Sequence, residues 1–110
     1  MKPAIFHPAT LKTIRGFPKE AKRAIGEAIL RLQHGARVGM PLSRAMPSVA
    51  PGVAELRVTA RGGEFRTFYY TRSERGILVL HAFVKKTQAT PEHEIAMGRR
   101  RFKELSHETS

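Results

Sequence analysis

Cysteine is absent from this sequence of 110 residues, so disulfides, thiolate zinc sites and cysteine nucleophiles are excluded together. Aspartate is absent as well. All nine acidic residues are glutamates, which argues against the carboxylate cluster that holds magnesium in many nucleases. Five histidines without His-x-x-x-His spacing give no metal signal, and neither a metal nor an organic cofactor is expected. The longest apolar run, Ile77 to Leu80, is far too short to span a bilayer. Met1-Lys2-Pro3-Ala4 lacks the apolar stretch of a signal peptide. These absences predict a soluble, cytoplasmic protein with no membrane partner, folded as one domain over residues 1–110.

What the chain has in excess is positive charge. Twenty Lys and Arg against nine Glu leave a net charge of +11, while 41% apolar content marks a globular chain. A small basic domain points to a polyanionic partner, most often nucleic acid.

The N-terminal third reads as two helices. Ala21, Ala24, Ile25, Ala28, Ile29 and Leu32 share one face at 3.6 residues per turn. Pro18 suits the first turn of this helix and Gly35 the position past its end. The opposite face carries Lys19, Lys22, Arg23 and Arg31. A shorter helix from Pro8 to Arg15, ended by Gly16, would form a hairpin with it. Residues 36–52 hold three prolines; Met40, Leu42, Met46 and Val49 are expected to pack this segment down. Val53–Thr59, Glu64–Arg72 and Ile77–Lys85 read as an antiparallel meander joined by glycine-containing turns. The third of these is apolar on both parities, as a strand covered on both faces would be. Thr90-Pro91-Glu92 opens a last helix, with Thr90 as its N-cap, and Ser106–Ser110 reads as a frayed tail. The fold class is therefore α+β: a helical hairpin on a three- or four-stranded antiparallel sheet, with a C-terminal helix. A fourth strand would come from Pro47–Pro51 at an edge.

Parity places Arg66 with Phe68, Tyr70 and Arg72 on one face of the second strand. The Gly62-Gly63 turn is expected to return Arg57 beside the later part of that strand, and Lys85-Lys86 ends the third. Such convergence is how a phosphate clamp is built, with Arg for bidentate contacts and Lys as a point charge. Solvated cations on an exposed sheet would give the same pattern. His81 is either a core histidine bonded to backbone or a neutral base kept available by nearby cations. Tyr69 and Tyr70 either stack on bases or pack in the sheet. Glu55 and Glu64 are either general bases or salt-bridge partners. RNA carries its own nucleophile, the 2′-hydroxyl, so Arg, Lys and His can supply every role its cleavage needs without a metal.

The order of segments and several motifs resemble the HigB-type toxins of the RelE/ParE superfamily, in their phage-derived host-inhibition branch. The resemblance rests on Leu11-Lys12-Thr13-Ile14-Arg15-Gly16-Phe17-Pro18, Leu32-Gln33-His34-Gly35, Pro41-Leu42, Met46-Pro47, Glu55-Leu56-Arg57 and Phe65-Arg66-Thr67-Phe68-Tyr69. Above all it rests on His81-Ala82-Phe83-Val84-Lys85-Lys86-Thr87 with Thr90-Pro91. It implies a compact α/β toxin that cuts mRNA on the ribosome and is held by a co-encoded helix-turn-helix antitoxin of HigA type. Promoter DNA would be reached only through that antitoxin. The resemblance puts active-site cations at Arg57, Arg66, Lys85 and Lys86, and leaves His93 in roughly the place of a general acid. Lys19, Lys22, Arg23, Tyr70, Arg72 and His81 are the accompanying candidates for substrate contact. The alternatives are a ParE-like gyrase poison and a non-catalytic basic protein that binds nucleic acid.

Overall fold

The computed structural model describes residues 1–107. Its elements are β1 (Ala4–Phe6), α1 (Pro8–Arg15), α2 (Lys19–Gln33), β2 (Ser43–Ala45), β3 (Val53–Ala60), β4 (Gly63–Ser73), β5 (Gly76–Lys85) and α3 (Glu92–Ser106). The five strands form one sheet in the order β1-β5-β4-β3-β2, antiparallel except for the β1–β5 pair. Expected tail residue Ser106 closes α3, and 108–110 lie outside the described residues.

The apolar stripe of α2 does what its spacing requires. Ala21, Ile25, Ala28, Ile29 and Leu32 are buried against Leu56, Val58, Phe65, Tyr69, Ile77 and Val79 on one face of the sheet. On the other face α3 covers Val53, Phe68, Leu78, Leu80 and Phe83 through Ile95 and Leu105. β5 thus has cover on both sides, which accounts for its uninterrupted apolar run. A bulge helps: Phe68 pairs with His81 but Tyr69 with Val79, so Leu80 is the extra residue on β5. Leu80 and His81 consequently both contribute to the α3 side.

Two strands differ from expectation. The edge strand is Ser43–Ala45, and Pro47–Pro51 forms turns instead. Pro47 and Pro51 have no N–H to give a ladder, and the segment closes on itself through Met46 N to Val53 O and Val49 N to Met46 O. β1 was not expected: three residues offer too little alternation to show. α1 then covers β5 where β1 stops, the Thr10 hydroxyl donating to Leu80 O at 2.6 Å. Both long helices begin one residue after their proline, so Pro18 and Pro91, and not Thr90, occupy the N-cap positions. Met46 and Val49 are buried, but Met40 is 67% exposed.

Candidate functional site

The ladder sets three rows across the α3 face of the sheet. Arg57 pairs with Arg66, which pairs with Phe83; Glu55 pairs with Phe68, which pairs with His81; Thr59 pairs with Glu64, which pairs with Lys85. Arg57 therefore stands opposite the early part of β4, a correction to the expected later part, because the turn at Gly62-Gly63 is tight. β2 adds Arg44 directly opposite Glu55.

From these rows Arg44, Glu55, Arg57, Arg66 and Lys85 line one cavity of about 510 Å³ as its charged residues. Its wall is completed by Ala45–Ser48, Gln88–Thr90 and Ile95. Arg99 Nε donates to Ser48 O at 2.9 Å and Lys85 Nζ to Gln88 O at 2.7 Å, fixing two of those walls.

Charge in the cavity is packed tightly. Arg66 is 3% exposed and Glu55 2%. Arg66 Nη1 lies 3.6 Å from Glu55 Oε1, and Nη2 lies 3.0 Å from Glu64 Oε1. Glu55 Oε2, Arg57 Nε and Arg66 Nε are buried without a hydrogen-bond partner. Burial pushes the Glu55 carboxyl above the usual range, against the pull of Arg66, Arg57, Lys85 and Arg44. Like charges facing each other across a ladder are unfavourable. Arg57 opposite Arg66, with donors unspent, is an arrangement suited to an incoming anion.

Of the expected residues, Arg57, Arg66 and Lys85 are brought together and the rest are not. Lys86 is exposed just beyond β5 and does not line the cavity. His93 sits on the first turn of α3 with its side chain 78% exposed, 3.6 Å from Glu94, also outside the lining. Lys19, Lys22 and Arg23 are exposed on α2, which packs on the opposite face of the sheet. Tyr70 packs edge-on against Phe102 at 4.9 Å, and Arg72 is exposed near Gly52.

His81 is closed to a ligand. Its Nδ1 lies 2.9 Å from Arg101 Nη1 and its Nε2 lies 2.7 Å from Glu94 Oε1. A guanidinium only donates, so Nδ1 accepts and the proton sits on Nε2, facing Glu94. Burial holds its pKa below the usual histidine value, with the Glu94 hydrogen bond opposing. Arg101 also reaches Thr10 Oγ1 at 3.1 Å, tying α1, β5 and α3 together. His81 thus serves the packing of three elements.

Sequence reasoning passed over Arg44, whose three-residue strand carries no pattern of its own. It left Glu55 undecided. Among the described residues no three His, Cys, Asp or Glu side chains converge on a common point, and no helix is long and apolar enough to cross a membrane.

The crystal structure of the intact E. coli RelBE toxin–antitoxin complex contains a chain that superposes with a TM-score of 0.57 at 15% identity, covering 79% of this chain and all of that one. The isolated E. coli RelE toxin, in its P21 form, superposes with a TM-score of 0.56 at 15% identity, covering 91% of this chain and 99% of that one. The fold is therefore the α+β fold of RelE, as the sequence resemblance implied. No curated protein matches the sequence. The family described as phage derived protein Gp49-like (DUF891) matches residues 12–103, from α1 through most of α3, and so spans every charged residue of the cavity. The chain belongs to this phage-derived Gp49-like family.

Proposed function

We propose that this protein is the toxin of a toxin–antitoxin pair and that it acts as an mRNA endonuclease at the ribosome. The observation that carries the reading is the cavity in which Arg57 and Arg66 stand opposite each other beside Lys85, with buried donors unspent. Arg57 and Arg66 hold the scissile phosphate and neutralise the charge that grows on its oxygens as the 2′-oxygen attacks. Lys85 stabilises the leaving side. The exposed cations Lys19, Lys22, Arg23, Arg72 and Lys86 lie outside this cavity, and their part is to hold ribosomal RNA over a wider surface. The reading needs no metal ligand set.

A partner follows from the same charge. RelE has been crystallised with its antitoxin; for this chain we infer a helix-turn-helix antitoxin whose acidic segment masks the basic surface and which alone contacts promoter DNA. The rival reading, a gyrase poison on the same fold, is separated by pulse labelling after induction. Loss of protein synthesis before DNA synthesis supports the endonuclease. DNA damage with translation intact supports the rival.

A further inference from the structure

We propose that Glu55 is the proton acceptor that activates the RNA 2′-hydroxyl, an assignment that rests on the endonuclease reading. Its cavity offers very few other acceptors. Arg44, Arg57 and Arg66 are guanidiniums, Lys85 is a cation, and the remaining polar lining is the side chains of Ser48, Gln88 and Thr90. Glu55 is the one carboxylate in that lining. The histidines do not compete: His81 spends both nitrogens on Arg101 and Glu94, and His93 stands outside. Glu64 is committed to Arg66 at 3.0 Å and to the Thr59 hydroxyl, and lines a neighbouring depression instead.

The geometry of the carboxyl fits the role. One oxygen, Oε1, faces Arg66 Nη1, which fixes the side chain. The other, Oε2, is buried with no partner, an unused acceptor on a residue that lines the cavity together with the phosphate-binding cations. The charged groups around it are Arg57 from its own strand, Arg66 from β4, Lys85 from β5 and Arg44 from β2, while α3 presents Ile95 to the same cavity. Burial makes this carboxyl a stronger base than an exposed one, against the pull of the four cations.

The 2′-hydroxyl proton passes to Glu55 Oε2 as the 2′-oxygen forms its bond to phosphorus. The bond from phosphorus to the 5′-oxygen breaks, and that oxygen takes a proton from the Lys85 ammonium. The products are a 2′,3′-cyclic phosphate and a 5′-hydroxyl; solvent then returns the proton from Glu55 to Lys85.

The test is single-turnover cleavage of a short mRNA on programmed ribosomes, followed against pH for wild type, Glu55→Gln and Glu55→Asp. We expect wild type to show an acid limb set by Glu55. Glu55→Gln should fall by about 10²–10⁴-fold and lose that limb, and Glu55→Asp should keep the limb at a reduced rate. A residue that only braces Arg66 would behave otherwise, since the amide preserves the shape and a hydrogen-bonding oxygen. A Glu55→Gln rate within about tenfold of wild type, or an acid limb that survives the substitution, overturns the assignment. Should Glu55→Gln fail to fold, Glu55→Asp decides alone: a wild-type rate and limb overturn the assignment. If wild type leaves the message intact, the endonuclease reading falls and this assignment with it. If wild type and Glu55→Gln cut alike, only this assignment falls.

Discussion

Gly98 of α3 lies so close to Phe68 of β4 that a Cβ on the glycine would stand 2.7 Å from the ring and 3.1 Å from Val49. Phe68 is fully buried and cannot yield. This contact sets how near α3 sits to the sheet, and α3 carries Ile95 to the cavity and Arg99 to its Ser48 wall. Gly98→Ala should therefore destabilise the fold by about 1–2 kcal/mol, the overpacking cost outweighing the gain in helix propensity. Gly26 on α2 is the control, since a Cβ there meets nothing within 4 Å. Gly26→Ala should stabilise by about 0.5–1 kcal/mol. Urea midpoints of the two variants should move in opposite directions.

Arg57→Ala should lower cleavage on the order of 10²–10³-fold while the protein remains folded, because Arg57 is only half-buried. Arg66→Ala should lose activity and also about 3–5 kcal/mol of stability, as it strips the buried Glu55 of its nearest cation. Circular dichroism melts with a single-turnover assay separate the two effects. An Arg66→Ala protein as stable as wild type would show that the buried pair is not holding that part of the sheet.

His81 predicts a pH dependence of stability. Its folded pKa lies below the ordinary 6.5, so the unfolded chain binds the proton more readily. The contribution is present above about 6.5 and is lost as pH falls from there through the folded value. Melting temperature should drop as pH falls below about 6.5, and the drop should shrink in a His81→Gln variant. An unchanged drop in that variant would place the titration elsewhere.

Much of this was legible in the residues themselves. The α2 stripe and the three long strands follow from periods of 3.6 and 2, whereas the row that sets Arg57 opposite Arg66 depends on the register of the tight Gly62-Gly63 turn. What was not legible depends on contacts between distant segments. Arg44 joins the site only because a three-residue strand happens to pair with Glu55. His81 is claimed by Arg101 and Glu94 from α3, and no local pattern announces that. The bulge at Leu80 resets parity within β5, which a strict alternation cannot represent.

Salt should weaken association with ribosomes steeply, since a net charge of +11 displaces many counterions. Replacing Lys19, Lys22 and Arg23 together by Ala should lower the salt slope by up to about three, one for each phosphate contact removed, and leave the cleavage step unchanged once bound. Binding isotherms at several salt concentrations give the slope. An unchanged slope would take the α2 face out of the RNA contact.

Cleavage of RNA in the Arg57–Arg66–Lys85 cavity is read most directly on a programmed ribosome. Purified protein added to ribosomes programmed with a defined mRNA should cleave that message and leave a 5′-hydroxyl on the downstream fragment. Arg57→Ala should leave the message intact under the same conditions. An intact message with the wild-type protein, or equal cleavage by wild type and Arg57→Ala, would contradict it.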